Sequence, residues 1–297
     1  MTNRNETGSK TYRFLTDDYF STIRETFVEA FSDYMIPFAL TPEQFRNHIN
    51  LNAVDLERSA GCFEGDRMIG FSLTGFGEWN GKPTAYDAGT GVVPDKRRQG
   101  VSTKMFEMMI GSYKMAGIEQ FLLEVISTNE PAVRLYEQMG FRTTRDLALM
   151  QCDDTTIAAN VPPQGVDIRV MDEPEWSLLP NYWDGSPSWQ NSVEAVIRSR
   201  KIKRIFGAFE GGRCVGYVVS SPSFGRLAHL AVSHEHRRRG IGKALIAKVR
   251  SETAPEYPLQ IINLDKRIES SIKFFESMGF REHLVQHEMV MPLTSVI

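Results

Sequence analysis

The chain has 297 residues, 41% of them hydrophobic and 24% charged, and its formal net charge is −3. This length predicts about two domains, each with a core large enough to fold without disulfides or structural metals. A non-specific nucleic-acid binder needs a surplus of Lys and Arg to replace counterions, so we expect no nucleic-acid partner.

The cysteine content and the amino terminus indicate a reducing compartment. Cys62, Cys152 and Cys214 are far apart and show no CxxC spacing, so we expect neither a disulfide framework nor a metal site. The first ten residues are polar, and nowhere do 18 apolar residues run together. We therefore expect a cytoplasmic protein without membrane contact.

Strands and helices alternate along the first half of the chain. Apolar periodicity and turn residues predict a strand over 11–15, helices over 22–31 and 42–49, a hairpin turn at 64–66 and a strand over 68–74. A further strand over 88–93 leads through a basic turn into a helix that begins near Gly100.

The same order of elements returns in the second half. We predict a strand over 166–170, a helix over 192–199, and strands over 205–209 and 215–219 that flank a glycine turn. Hairpins interleaved with helices are typical of a mixed α/β (α+β) domain with a mostly antiparallel sheet, and they argue against a doubly wound parallel fold.

Two sequence matches at one long offset indicate an internal duplication. Residues 97–102 (RRQGVS) are echoed by residues 237–242 (RRRGIG), 140 positions later, and Met139-Gly140-Phe141 recurs as Met278-Gly279-Phe280. A period of this size is that of a whole domain. The polar, proline-bearing segment 153–165 is the predicted linker between a first repeat at 10–152 and a second repeat at 166–297.

The basic turn before each repeated helix has the features of an anion site. The first backbone N–H groups of a helix lack intrahelical acceptors, and the helix dipole adds positive charge there. Gly100 and Gly240 carry no Cβ, which lets a ligand oxygen approach the backbone. A solvated connection is the alternative interpretation. Neither segment has the glycine spacing of a P-loop or of a dinucleotide-binding fingerprint.

The two repeats resemble the GNAT superfamily of N-acetyltransferases. The family's strand–[QR]-x-x-G-x-[GA] motif and its N-x-x-A-x-x-x-Y-x-x-x-G-F motif match Val92-Val93-Pro94, Arg97, Gly100, Ser102, Asn129, Ala132, Tyr136 and Gly140-Phe141 in the first repeat. The second repeat matches less completely, with Val232, Arg237, Gly240, Gly242, Phe275 and Gly279-Phe280.

This resemblance implies a splayed sheet that binds acetyl-CoA between its fourth and fifth strands. The implied cofactor-binding residues are Val92, Val93, Arg97, Arg98, Gln99, Gly100, Val101, Ser102, Thr103 and Asn129, and, in the second repeat, Arg237, Arg238, Gly240, Ile241 and Gly242. The implied reaction is direct transfer of an acetyl group to a primary amine of a small molecule or peptide in a ternary complex.

The resemblance also implies catalytic roles in the first repeat. Tyr136 matches the tyrosine that protonates the departing thiolate, although its helical spacing also suits a core aromatic. Asp87 and Glu124 are the candidate bases, with ordered water as the alternative. Phe275 replaces the tyrosine in the second repeat and cannot donate a proton, so we place the chemistry in the first. The second repeat either still binds CoA or serves a structural role.

The resemblance also implies that the first two helices and the loop between them build the acceptor pocket. The aromatic segment at this place is therefore the candidate pocket, with Asp33, Tyr34 and Phe38 as substrate-binding residues. Aromatic walls with one carboxylate suit an amine, although the same rings also suit closure of the core. A non-catalytic acyl-CoA-binding or scaffold protein is the alternative function. The sequence leaves the acceptor, the acyl-chain preference and the choice between monomer and dimer open.

Overall fold

The computed structural model describes residues 9–33, 40–153, 157 and 161–293. The chain forms two compact units, and neither follows the sequence continuously. Unit 1 consists of Met1–Glu124, Glu130–Arg142 and Met289–Ile297, and unit 2 consists of Val125–Asn129 and Thr143–Glu288.

The described residues of the first half of the chain form the following strands and α-helices. They are β1 (Lys10–Phe14), α1 (Phe20–Ala30), α2 (Pro42–Leu51), β2 (Ala60–Glu64), β3 (Arg67–Trp79), β4 (Lys82–Val92), α3 (Val101–Met115), β5 (Gln120–Ile126) and α4 (Glu130–Gln138). The predicted strands and helices up to residue 74 are all present. β3 and β4 are longer than predicted, because Asn80 and Gly81 adopt positive φ angles of 51° and 74° and close a tight hairpin between them.

The sheet of unit 1 opens between its fourth and fifth strands. Strands β1 to β4 pair antiparallel in chain order, whereas β4 and β5 pair in parallel at only three positions and separate after Tyr86 and Leu122. At the other end of β5, Leu293 donates its backbone N–H to the carbonyl of Glu119 at 2.8 Å, so the chain's last strand also contributes to this unit.

The two faces of β5 can be assigned from ring contacts. Phe121 packs against Phe106 and Tyr113 of α3, with ring centroids 5.4 and 5.5 Å apart. Because successive side chains on a strand alternate between faces, Leu122 and Glu124 lie on the face away from α3.

The second half supplies the remaining elements. They are β6 (Arg142–Cys152), β7 (Val166–Val170), α5 (Val193–Arg198), β8 (Arg204–Glu210), β9 (Arg213–Ser221), β10 (Arg226–Val232), α6 (Ile241–Glu252), β11 (Leu259–Asp265), α7 (Glu269–Ser277) and β12 (Arg281–Pro292). The predicted strand over 166–170 is confirmed without change, and the predicted helix over 192–199 is observed as Val193–Arg198.

The sheet of unit 2 runs in the order β12, β6, β11, β10, β9, β8, β7, with β10 and β11 its parallel pair. Parallel pairing is brief, covering Arg226 opposite Gln260 and Leu227 opposite Ile261. Both units therefore have mixed, mostly antiparallel sheets flanked by helices, as predicted. In the described ranges no helix is long and apolar enough to cross a membrane.

Candidate active site

The turn before α3 presents its backbone to solvent. Arg98 and Gly100 have φ angles of 60° and 73°, and the first N–H that bonds into the helix is that of Lys104, which donates to the Gly100 carbonyl at 3.1 Å. Within the part of the chain that the structure describes, the N–H groups of residues 101–103 have no acceptor. This arrangement suits an anion such as a pyrophosphate.

The turn before α6 repeats this geometry in unit 2. Arg238 and Gly240 have φ angles of 62° and 90°, and Ala244 donates to the Gly240 carbonyl at 3.0 Å. Matching backbone angles at two turns 140 residues apart show that the repeated motif encodes one loop conformation. Ile241 and Val101 are buried beneath their loops, so only their backbone groups face a ligand.

Arg97 braces the loop of unit 1. Its guanidinium makes a two-pronged ion pair with Asp33 at 2.6 and 2.7 Å, and it donates to the carbonyls of Ala30 and Val92 at 2.7 and 3.2 Å. The carboxyl of Asp33 has a lowered pKa because Arg97 hydrogen-bonds its charged form. The structure thus joins a predicted cofactor residue to a predicted substrate residue. The other two predicted substrate residues, Tyr34 and Phe38, lie outside the described residues.

Arg237 makes the equivalent contacts in unit 2. It donates to the Val232 carbonyl at 3.1 Å, to the Tyr182 carbonyl at 2.9 Å and to the Asp184 carboxylate at 2.9 Å. Sequence reasoning assigned both arginines to the cofactor. Their observed contacts join the end of β4 to Ala30 and Asp33 in unit 1, and the end of β10 to Tyr182 and Asp184 in unit 2.

The remaining predicted cofactor residues have mixed surroundings. Val93 is fully buried and donates its N–H to the Ile69 carbonyl at 3.0 Å, so this N–H is committed to the sheet. Gln99 accepts from Lys10 at 2.7 Å. Asn129 donates its N–H to the Ile126 carbonyl at 2.9 Å, in the turn before α4.

Two of the three predicted catalytic residues lie in direct contact. The phenol of Tyr136 on α4 donates to Oδ2 of Asp87 on β4 at 3.3 Å, and both side chains are 8% exposed. The Tyr136 ring also meets Phe106 and Phe141 edge-on at 5.8 and 5.6 Å. The tyrosine is therefore a core aromatic whose hydroxyl donates to a buried carboxylate.

Asp87 is buried at the point where β4 leaves β5. Its Oδ1 accepts from the backbone of Gly89 and from Thr90 Oγ1, both at 3.0 Å, and the Thr90 hydroxyl is also hydrogen-bonded to Ser72 Oγ at 2.8 Å. Burial raises the pKa of Asp87 to about 6, while these hydrogen bonds oppose the rise. The carboxyl therefore titrates near neutrality.

Glu124 faces the other side of the sheet. Tyr86, the neighbour of Asp87 in β4, donates its hydroxyl to Glu124 Oε2 at 3.0 Å. Because neighbouring residues on β4 alternate in face, Asp87 points toward α4 whereas Tyr86 and Glu124 point away from it. The two candidate bases are not brought together, because their side chains lie on opposite faces of the sheet beside the gap between β4 and β5.

A strand bulge shapes β4 beside Asp87. The pairing of β3 with β4 skips Ala88, and His48 of α2 donates from Nε2 to the Ala88 carbonyl at 2.8 Å. Asn52 donates its side-chain amide to His48 Nδ1 at 3.3 Å, which requires the neutral ring with its proton on Nε2. Sequence reasoning missed His48, Tyr86 and Thr90, since no motif marks them.

The corresponding region of unit 2 is filled by its own side chains. Trp183 donates to the Tyr217 hydroxyl at 2.6 Å, and that hydroxyl contacts His229 Nδ1 at 3.1 Å. His229 also bonds the Asn191 carbonyl, and burial lowers the pKa of its ring to about 4. Among its described side chains, this network of aromatic rings and hydrogen bonds contains no carboxylate.

Family models match both halves of the chain. Residues 17–141 match the acetyltransferase (GNAT) family, and residues 186–290 match an acetyltransferase (GNAT) domain.

Solved structures agree on the fold. A GCN5-related N-acetyltransferase from Sphaerobacter thermophilus aligns with a TM-score of 0.71 and 16% identity, covering 97% of each chain. A tandem GNAT protein of the clavulanic acid biosynthesis pathway aligns with a TM-score of 0.72 and 13% identity, covering 97% of this chain and 100% of its own.

A curated relative also matches in sequence. It is the ribosomal protein bS18-alanine N-acetyltransferase of Escherichia coli K12, which is 32% identical over 96 residues. The match covers 29% of this chain and 62% of that protein, so the chain spans less than two thirds of its relative's length. The paired family matches and the shared fold establish that two GNAT domains in tandem make up this chain.

Proposed function

We propose that the chain is an acetyl-CoA-dependent N-acetyltransferase whose chemistry takes place in unit 1. The observation that carries this proposal is that Tyr136 and Glu124 lie on opposite faces of the sheet, beside the gap between β4 and β5. A group transfer through such a gap needs a base on the side of the attacking amine and an acid on the side of the leaving group. Unit 1 provides both.

Glu124 is the proposed base. It lies on the face away from α3 and α4, where Tyr86 holds one of its carboxylate oxygens at 3.0 Å. From there the carboxylate accepts a proton from an ammonium, directly or through one water, and leaves the amine nitrogen with a free electron pair. An acidic approach also attracts a cationic acceptor.

Tyr136 is the proposed acid, and Asp87 positions it. The Asp87 carboxylate accepts the Tyr136 hydroxyl at 3.3 Å and fixes its direction at the helix face of the gap. When bound, acetyl-CoA supplies the acetyl group and a thiolate that takes up one proton. Tyr136 gives that proton from its hydroxyl, and a proton from solvent through Asp87 restores it. The acceptor ammonium loses two protons in all, one to Glu124 before the attack and one when the tetrahedral adduct becomes the amide. One proton reaches the thiolate and the other is released to solvent, so the reaction balances.

The loops before α3 and α6 are the proposed pyrophosphate sites. Two features support this assignment: the backbone N–H groups without acceptors and the glycines at positive φ. The space beside Gly100 is open, since a Cβ built there would meet no atom within 4 Å. Arg98, Ser102 and Thr103 extend the first loop toward solvent. Arg97 and Arg237 act through the loop conformation and not through direct contact with a ligand.

A primary amine on a small molecule or peptide is the proposed acceptor. The name of the Escherichia coli relative specifies an alanine of a ribosomal protein as its substrate, which favours a peptide amino terminus as the first candidate. The carboxylates of unit 1 fit any such ammonium, and the identity of the acceptor depends on segments that include Tyr34 and Phe38.

The proposal is tested by thiol release from acetyl-CoA in the presence of a panel of amines that includes a peptide beginning with alanine. Turnover that Glu124→Gln abolishes, and that Glu107→Gln on the exposed face of α3 leaves intact, supports the proposal. Binding of acetyl-CoA without transfer to any amine favours the alternative of an acyl-CoA-binding scaffold. Absence of binding contradicts both.

A further inference from the structure

A row of polar side chains crosses three strands of unit 2. Arg226 of β10 lies opposite Ser221 of β9, and Arg204 of β8 lies opposite Ser220. Lys203 directly precedes Arg204 and has an extended backbone, with φ −108° and ψ 145°, so the same register sets it opposite Ser221. Directly opposed residues of antiparallel strands share a face, and the side chains of Lys203, Ser221 and Arg226 therefore lie side by side.

The face that carries this row is also defined by the hydrophobic core. Ile205 and Val219, which lie two residues from Lys203 and Ser221 on their strands, belong to one buried cluster with Tyr217. Alternation along the strands extends that face to Lys203 and Ser221. The charge of Lys203 also acts on His229, which the same cluster surrounds.

The two cations have no acidic partner. Within the described residues neither Lys203 nor Arg226 makes an ion pair or donates a side-chain hydrogen bond, and Ser221 Oγ has no hydrogen-bond partner. By contrast, Arg200 and Arg237 of the same unit each contact a carboxylate. Placing two like charges side by side without a counter-charge is unfavourable unless a ligand supplies one.

Burial makes these two unpaired positive charges still less favourable. Lys203 is partly buried, and desolvation together with the charge of Arg226 lowers its pKa to about 8. Arg226 is solvent-exposed, yet desolvation lowers the pKa of its guanidinium as well. Desolvation and mutual repulsion both disfavour the charged form of Lys203, and a bound anion would offset both.

Unit 1 carries the opposite charge at the corresponding place. Tyr86 lies 140 residues before Arg226, in the strand that pairs in parallel with its neighbour, and it bonds Glu124. Where unit 2 has the cation of Arg226, unit 1 therefore has a tyrosine that is hydrogen-bonded to one carboxylate. An ammonium suits the first environment, and an anion suits the second.

We propose that Lys203, Ser221 and Arg226 form a binding site in unit 2 for an oxyanion, the phosphate or carboxylate group of a small ligand. The two cations neutralise the anion, the Ser221 hydroxyl donates to one of its oxygens, and the aromatic network around His229 closes the site beneath. Because this site does not use Tyr136, Glu124 or Asp87, it exists whether or not unit 1 transfers acetyl groups.

The experiment measures binding of inorganic phosphate and, separately, of acetate to the full chain, following the NMR signal of reductively ¹³C-methylated Lys203. We expect saturable binding of at least one of the two anions, with an upward shift in the pKa of Lys203. The anion that binds more tightly distinguishes a phosphate from a carboxylate ligand. Calorimetric titration, which does not depend on the Lys203 probe, is expected to show that Lys203→Met and Arg226→Met each weaken binding by about tenfold or more, because each removes a charge-assisted contact.

Lys201→Met, on the exposed helical turn that precedes Lys203, is the matched control and leaves the affinity unchanged. Gly240→Glu is a second control, since it blocks the α6 loop as an alternative phosphate site. Without added anion, the variants at positions 203 and 226 melt no lower than the parent, because each relieves repulsion. A pKa of Lys203 that moves with neither anion, or equal affinity in all of these variants, overturns the proposal.

Discussion

Leu227 holds in β10 the position that Asp87 holds in β4. Each residue directly precedes the alanine that a strand bulge leaves unpaired, Ala228 in one strand and Ala88 in the other. Leu227 is 3% exposed and belongs to the hydrophobic core of unit 2, whereas Asp87 is buried with a hydrogen-bonded carboxyl. One strand geometry thus supports a titratable group in one unit and an apolar side chain in the other.

The helices α4 and α7, which pack against these strands, differ in the same way: α4 carries a polar residue where α7 carries an apolar one. Phe275 lies 139 residues after Tyr136, is 5% exposed and packs edge-on against Phe280 at 5.3 Å. Replacing both partners of a buried hydrogen bond by apolar groups costs little stability, whereas replacing one leaves the other unsatisfied. Unit 2 therefore retains the fold while lacking the hydrogen bond that joins Tyr136 to Asp87 in unit 1.

Tyr136→Phe is expected to lower kcat by roughly 10²-fold or more while leaving the Kd for acetyl-CoA nearly unchanged, because only the proton donor is removed. Steady-state kinetics and calorimetric titration measure the two quantities separately. Tyr12→Phe removes a hydroxyl that bonds Cys62 elsewhere in unit 1, and this control keeps full turnover. Wild-type kcat in the Tyr136 variant would contradict the assigned role.

Asp87 is expected to set a pH dependence near neutrality. Its pKa of about 6 lies above the ordinary value of 3.8, so the native state holds a proton that the unfolded chain releases between about pH 4 and pH 6. Stability from this group is complete below about pH 4 and is lost as the pH rises through about 6, a loss of about 3 kcal/mol at pH 7. Asp87→Asn removes this dependence.

Two measurements follow from that titration. Urea unfolding at pH 4 and pH 7 compares the wild type with Asp87→Asn, and we expect the variant to gain relative stability at the higher pH. In the kinetic profile, kcat/KM of the wild type rises through about pH 6 as Asp87 ionises and orients Tyr136, and the variant lacks this limb. If kcat/KM depended on pH in the same way in both proteins, the proposed role of Asp87 would be contradicted.

Gly100→Glu is expected to weaken acetyl-CoA binding by about tenfold or more, since it adds a negative charge beside the open N–H groups. Gly65→Glu is a matched control. Gly65 also has a positive φ, 61°, and a Cβ added there would meet no atom within 4 Å, but it lies in a hairpin turn. Both variants carry the same backbone strain, so a loss of stability common to both is separated from a loss of affinity confined to Gly100.

The number of binding sites locates the cofactor. Calorimetry of the wild type with acetyl-CoA gives two sites if both loops are functional, and Gly240→Glu then reduces the count to one. A single site that Gly100→Glu removes and Gly240→Glu leaves intact would confine the cofactor to unit 1. Unchanged binding in both variants would contradict the proposed role of the loops.

Arg97→Met is expected to lower the melting temperature by a few degrees and to weaken acetyl-CoA binding, because the guanidinium joins Asp33 and two backbone carbonyls. Asp33→Asn has a smaller effect, since its carboxylate is exposed and its ion pair is screened. If Arg97 contacted the cofactor directly, Asp33→Asn would free it and strengthen binding. The direction of the change in Kd for Asp33→Asn therefore decides between bracing and direct contact.

The repeat, the glycine turns and the pairing of helices with hairpins were predictable because they rest on local rules. The absence of a Cβ permits the positive φ of Gly100, and hydrophobic periodicity places α1 and α2 close to their observed ends, whereas β3 and β4 extend further than predicted. Tyr136 was recognisable from its spacing to Gly140 within the motif. Each of these features depends only on residues that are close together in the sequence.

Tertiary structure alone decided which side chains meet. Asp87 and Tyr136 are 49 residues apart, and their contact depends on strand register and helix packing, where an error of one residue reverses every face. The same reason separates Glu124 from Asp87, joins Arg97 to Asp33 and assigns the chain's final strand residues to unit 1. Residues such as Lys203 and Arg226 carry no motif at all, because their proximity arises only when three strands lie side by side.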